Sequence, residues 1–230
     1  MIKAQGIHHI AVMTADIKGQ VAFFSDVLGC PLVALFDMHG VPGGMHAFLH
    51  LSDTCLFSLV QLPGTGDIPI ELGITHAGSG SGRSAPGTMQ HLAFAVSTRD
   101  DLLALRDRIR TKGINVFGPI NHGMSQSIYF AGPEMLALEV AWSETVVDPD
   151  RWIDPAVMAR AGISAEEAAR FRTPDDYAGE GGAVPQPPYD PAKPHVAMPE
   201  DLYRQIIAAS DDMIWAVSSF DAPPVPAGDA

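Results

Sequence analysis

With 230 residues, 47% of them hydrophobic, the chain is long enough for one sizeable core or for two fused modules. A formal net charge of −13 gives it no electrostatic grip on nucleic acid or an anionic membrane, and no apolar run approaches the ~20 residues that cross a bilayer. The opening MIKAQGIHH has no apolar export segment, so a cytoplasmic location is expected, with Cys30 and Cys55 as reduced thiols.

Residues 6–14 alternate as a strand, with Ile10 and Val12 on one face and His9, Ala11 and Met13 on the other. Asp16 then stands as a helix N-cap, and Ile17, Val21, Phe24 and Leu28 recur on one helical face until Gly29 ends it. Pro31–Phe36, His46–Leu51 and Cys55–Leu62 read as three strands, with a turn at Ser52–Thr54, which completes β-α-β-β-β over 1–62. Residues 63–88 are rich in Gly, Ser and Pro. A connection of that length reads as a lid, a binding loop or a linker.

The order then repeats over 89–143. Met89–Val96 is a strand with Leu92 and Phe94 on one face and His91, Ala93 and Ala95 on the other. Thr98–Lys112 is an amphipathic helix with Leu102, Leu105 and Ile109 inward, stopped by Gly113. Ile114–Pro119, Ser125–Ala131 and Met135–Trp142 are three further strands. Gly132-Pro133-Glu134 makes the last two a hairpin. A turn centred on Glu134 sets Tyr129 opposite Glu139, with Leu136, Leu138 and Val140 on the core face and Ala137, Glu139 and Ala141 on the other. His9 and His91 lie 82 positions apart, and with them aligned Ser58 falls opposite Glu139, which makes this an internal repeat.

A carboxylate between two alanines on a strand face needs a cation, a proton or a metal if it is buried. His9, His91 and Glu139 each face the same side as an alanine two residues away, leaving room for an ion and a substrate, so these three are the expected metal ligands. The stretch 144–230 belongs to neither repeat. Asp154-Pro155 opens one helix there, Ser164 with Glu167 forms a capping box for a second that ends before Pro174, and Pro199–Val217 is a third. Leu202, Ile206 and Met213 are its apolar positions for packing on the body, and the composition after Ser219 predicts a frayed tail.

Two β-α-β-β-β modules, each opening on His-[Ile/Leu]-Ala and the second closing on Leu-Glu-Val, resemble the vicinal oxygen chelate superfamily over residues 6–142. The resemblance implies an α+β fold in which paired modules enclose a metal-centred cavity. Glyoxalase- and epimerase-like members use four protein ligands, with an oxygen donor closing each module. Ser58 is a poor donor at the first of these positions, so an isomerase or lyase would need Ser58 or Gln61 on the metal. Two histidines and one carboxylate suit Fe(II) and O₂ chemistry, with Mn(II) or another divalent ion as the alternative.

The extradiol dioxygenase pattern is a histidine, an apolar residue with tyrosine, a proline and a glutamate. It is similar to His122, Ile128-Tyr129, Pro133 and Glu139, departing at Gly132 and Met135. That resemblance implies a dioxygenase acting on a catechol or hydroquinone-like aromatic with O₂. Tyr129 would bond a ring hydroxyl, and His122 would orient the substrate from a bulge or a loop before its strand. His8 would stand behind His9, and His50, or else His46 or His76, would replace the acid–base histidine that the first module lacks. It also implies a homo-oligomer. A binding module without catalysis is the remaining reading.

Overall fold

The computed structural model describes residues 3–225. Two compact units are present, one spanning Gln5–Arg172 and one made of residues from 173 onward together with the N-terminal residues. In the first, β1 (His9–Met13), α1 (Ile17–Phe23, continuing as a π-turn over Phe24–Leu28), β2 (Leu32–Asp37), β3 (Met45–Ser52) and β4 (Cys55–Gln61) form one module. β5 (Leu92–Ala95), α2 (Arg99–Thr111), β6 (Phe117–Asn121), β7 (Gln126–Ala131) and β8 (Ala137–Trp142) form the other. Each module is a four-stranded mixed sheet, ordered β1-β4-β3-β2 and β5-β8-β7-β6, with its first strand parallel to its last.

Strand alternation sorts side chains as the sequence predicts. Leu136, Leu138 and Val140 are buried in the core, and Tyr129 pairs directly with Glu139 across the β7–β8 hairpin. The repeat holds in register: Ala11 pairs with Ser58 and Ala93 with Glu139, so Ser58 and Glu139 are equivalent positions. One difference lies in the second strand of the second module, which starts at Phe117 where a start at Ile114 was expected. Its pairing shifts register between Phe117 and Ile120, around a cis Gly118–Pro119 bond.

The modules share one core. Phe24 packs on Phe57 at 4.2 Å between ring centroids, and Phe94 lies 5.9 Å from Phe57. Arg108 on α2 donates from Nε to the carbonyl of Val27 at 2.9 Å, covering carbonyls that the end of the first helix leaves unpaired. Thr98 caps α2 in a reciprocal box with Asp101. On α1 the buried set includes Gln20, a polar residue on a face that periodicity reads as apolar.

Glu134 connects the modules at the other end. Its carboxylate accepts from the Ala15 backbone N–H and from Gln20 Nε2, both at 2.7 Å. Burial raises its pKa, but the bonds from Gln20, Thr14 and Ala15 outweigh that and hold it below the ordinary carboxylate value. Glu134 and Met135 both sit in the left-handed region, at φ 52° and 60°, a conformation that suits glycine. A Cβ on Gly132 would lie 2.8 Å from Leu138 Cδ1, so a side chain at this turn position would force Leu138 to move.

Beyond the modules, α3 (Pro149–Trp152), α4 (Pro155–Ala161) and α5 (Ala165–Arg172) belong to the first unit. Asp154 caps α4 through Ala156 N–H, and Ser164 exchanges hydrogen bonds with Glu167 ahead of α5. The single helix expected over 199–217 is two, α6 (Glu200–Ala208) and α7 (Asp211–Ser218). Ala209 is extended, and Ser210 Oγ accepts from Met213 N–H to start a new helix, since serine bonds to the backbone better as a cap than inside a helix. Leu202, Ile206 and Met213 are exposed. Among the described residues, no helix is long and apolar enough to cross a membrane.

Candidate functional site

Glu139 is 6% exposed, and His91 Nε2 lies 2.8 Å from its Oε2. β8 aims the carboxylate away from the Leu138 and Val140 side of the sheet. His91 comes from the residue just before β5, the strand paired parallel to β8. On the same face Tyr129 stands opposite Glu139, and its hydroxyl shares a 2.9 Å hydrogen bond with His122 Nε2. Burial and then the charge of Glu139 push the Tyr129 phenol above its ordinary pKa, so it keeps its proton.

His122 reaches this position from the turn between β6 and β7. Its backbone N–H bonds the Ser125 carbonyl, and Asn121 Oδ1 accepts from Gly123 N–H. The loop ahead of the strand aims it inward, as its spacing from Tyr129 requires.

His91, His122 and Tyr129 line one cavity of about 490 Å³ with Phe117, Ile120, Ala131, Ala137 and the loop Gly78–Ser81. Ala131 and Ala137, paired across β7 and β8, are small residues of its wall. No lysine or arginine is among the described residues that line it.

The amide of Gln90 defines the state of His91. Gln90 Nε2 donates to the carbonyls of Ser79 at 2.9 Å and Gly82 at 3.1 Å, so that side of the amide is its NH₂ and the other side is oxygen. That oxygen faces His91 Nδ1, which must therefore carry hydrogen. In the neutral ring Nε2 is then a bare lone pair, 2.8 Å from a carboxylate oxygen. Two such donors repel unless a positive centre joins them, either a second proton on the ring or a cation. Donors ~2.1 Å from one ion at right angles lie ~3.0 Å apart, close to this spacing. His91 and Glu139 thus fit two adjacent ligands of a divalent ion.

The remaining expected residues fall elsewhere. His9 is exposed on β1, 2.9 Å from His8 Nδ1 through its own Nδ1, with its ring 5.8 Å from Phe48. Among the described residues no three His, Cys, Asp or Glu side chains converge to hold a metal, so the structure brings together two of the three expected ligands. His8 does stand beside His9. His50 lies 3.8 Å from Asp53 and lines a different cavity, of about 470 Å³, with Cys30, Cys55, Phe57 and Phe94. His76 bonds Thr75 on the long loop. His46 meets Ser58 at 2.5 Å, and burial followed by the nearby charge of His9 lowers its pKa. Gln61 Oε1 accepts from Ile17 N–H at 2.9 Å and so caps α1.

The length of the 63–88 loop marks the wall that Gly78–Ser81 form, but periodicity passes over Gln90 and Gln20. Their roles rest on polar bonds across long separations, which leave no pattern in a single chain.

A model of the Glyoxalase/Bleomycin resistance protein/Dioxygenase superfamily matches residues 6–152. The chain belongs to this superfamily. Its vicinal oxygen chelate fold is similar to a glyoxylase/bleomycin resistance protein/dioxygenase domain from Frankia sp. EAN1pec, at 15% identity and TM-score 0.50, covering 62% of this chain and 100% of that one. It is also similar to TnmS3, an antibiotic binding protein from Streptomyces sp. CB03234, at 19% identity and TM-score 0.43, covering 63% of this chain and 100% of that one. FosX, a fosfomycin resistance protein from Listeria monocytogenes, matches at 19% identity and TM-score 0.42 over 62% of this chain and 95% of that one. Such identities carry the fold alone. No curated protein sequence matches the chain.

Proposed function

We propose that the chain is a non-haem Fe(II)-dependent extradiol-type dioxygenase that opens the ring of a catechol or hydroquinone-like aromatic with O₂. The observation that carries this reading is the contact of His91 with Glu139 in the same site as a hydrogen-bonded Tyr129–His122 pair. His91 and Glu139 would hold the ion, and His9 would be the third ligand once its imidazole turns from His8. A divalent iron bound there would supply positions for both the diol and O₂; Mn(II) has the same donor preference closely enough to be the alternative.

The chain's own groups do the rest. Tyr129 keeps its proton and can donate it in a hydrogen bond to a ring oxygen, while His122 fixes the phenol's direction. Phe117 and Ile120 offer apolar surface to the ring, and the wall at Gly78–Ser81 excludes water from one side. With no lysine or arginine among its described lining residues, the cavity favours a diol without a carboxylate, whose charge would be left unpaired. A four-ligand glyoxalase-like site is less well supported, since Ser58 is engaged by His46 and Gln61 by Ile17. A second copy of the chain would suit the exposed Leu32, Val33 and Leu35 along the edge strand β2, in keeping with a homo-oligomer.

The test is elemental analysis of anaerobically purified protein, with Glu139→Ala and His9→Ala beside it, followed by oxygen uptake with catechols and hydroquinones. About one iron per chain, lost in Glu139→Ala, and uptake with at least one diol are expected. Iron-loaded protein that consumes no oxygen with any diol sinks the dioxygenase reading.

A further inference from the structure

We infer that Gln90 is a positioning residue that ties the cavity wall at 78–82 to the imidazole of His91, so that the wall and the candidate ligand move as one unit. A single amide makes all three bonds: Nε2 to the carbonyls of Ser79 and Gly82, and the oxygen to His91 Nδ1–H. The wall it holds is close to the working groups. A Cβ on Gly80 would lie 3.7 Å from Tyr129 Cε1, and Gly78–Ser81 line the cavity with His91, His122 and Tyr129.

The wall has a defined shape of its own. Gly82 N–H bonds the Ser79 carbonyl at 3.0 Å, and a Cβ on Gly82 would fall 1.9 Å from the Ala77 carbonyl oxygen, so this turn closes only around glycine. Behind it, Ala85 N–H bonds the Ile74 carbonyl, and Thr88 Oγ1 bonds Ser84. Those anchors fix the base of the loop. Among the described residues, Gln90 supplies side-chain bonds to the carbonyls at its tip.

Two consequences follow for the site. The Gln90 oxygen fixes the hydrogen on Nδ1 and leaves Nε2 facing Glu139, as a metal-binding histidine requires. A substrate too long for the space under Gly80 can push the wall outward only by breaking this bridge at one of its ends, the Ser79 and Gly82 carbonyls or His91, so oversize ligands are disfavoured. The second consequence rests on the proposed function; the bridge does not.

Two substitutions separate the halves of the bridge. Gln90→Glu keeps an oxygen for His91 Nδ1–H but has no N–H for Ser79 and Gly82. Gln90→Leu removes both. Amide hydrogen exchange of a peptide covering 78–87, measured on metal-free protein, is expected to quicken about tenfold in both variants. Cobalt(II) titration followed by visible absorption is expected to show affinity within about threefold of wild type in Gln90→Glu and weakened about 10- to 100-fold in Gln90→Leu. Unchanged exchange in both variants overturns the inference, as does a Gln90→Glu variant that loses cobalt as completely as Gln90→Leu. If the wild-type protein takes up no cobalt, the metal reading fails, and loop exchange alone then decides for or against the bridge.

Discussion

Replacing Glu134 tests how the two modules are joined. Its carboxylate receives two hydrogen bonds of 2.7 Å from the first module, and one of them satisfies Gln20, whose other side-chain atom, Oε1, is already buried without a partner. Hydrogen bonds to a charged group contribute ~1.5–3 kcal/mol each, and partial exposure at the turn places these at the lower end. Glu134→Ala is therefore expected to cost about 2–4 kcal/mol, since it also strands the Gln20 amide. Glu134→Gly loses the same bonds but relieves a left-handed backbone worth ~1 kcal/mol, so it should be the milder change.

The acid dependence follows from the same contacts. The folded pKa of Glu134 lies below its unfolded value of 4.5, so its contribution is complete above that value and is lost as pH falls through the folded pKa. The gap between wild type and Glu134→Ala should be constant from pH 8 to 6 and shrink below about pH 4.5. Urea unfolding followed by tryptophan fluorescence, in a Trp215→Phe background that leaves Trp142 and Trp152 of the first unit, reads it. Equal stability of wild type and Glu134→Ala at pH 7, or a gap that widens in acid, refutes this role for Glu134.

Other expectations concern neighbouring groups. Met135→Gly should stabilise the first unit by about 0.5–1 kcal/mol, because it removes a side chain from a left-handed position; thermal unfolding checks it. Tyr129→Phe should lower kcat on the order of 10²-fold with KM within a few-fold, as measured by oxygen uptake, if the phenol acts on the ring hydroxyl. A catechol carrying a ring carboxylate should show kcat/KM at least about tenfold below the uncharged parent, since an unpaired buried charge costs more than ~1.4 kcal/mol; equal values would point to a cation in the site. Burial, opposed by the charge of Arg108, pushes the Cys30 thiol up to about 11, so at pH 8 a thiol reagent should label Cys55 quickly and Cys30 only after unfolding.

The hairpin register, the module repeat and the face carrying Glu139 were legible because each depends on local signals. Alternation has a period of two residues, and the turn at Gly132–Glu134 fixes which residue of β7 meets which of β8. Tyr129 opposite Glu139 follows from those facts alone. So does the equivalence of Ser58 with Glu139, since two copies of one β-α-β-β-β order place their residues alike.

What the sequence by itself determined, then, is the pair of modules and the side of the sheet on which each candidate group stands. Tertiary structure decided which of them meet. His9 and His91 occupy equivalent positions, yet His91 touches Glu139 while His9 turns to His8. His50 lines another cavity, and Ser210 divides a helix that apolar spacing alone would run on. Gln90 and Glu134 join segments through polar bonds, and hydrophobic periodicity contains no term for a polar partner. The physical reason is range: strand faces are set by neighbours two residues away, whereas a buried amide or carboxylate is paired only when the packing of whole elements brings its partner within 3 Å.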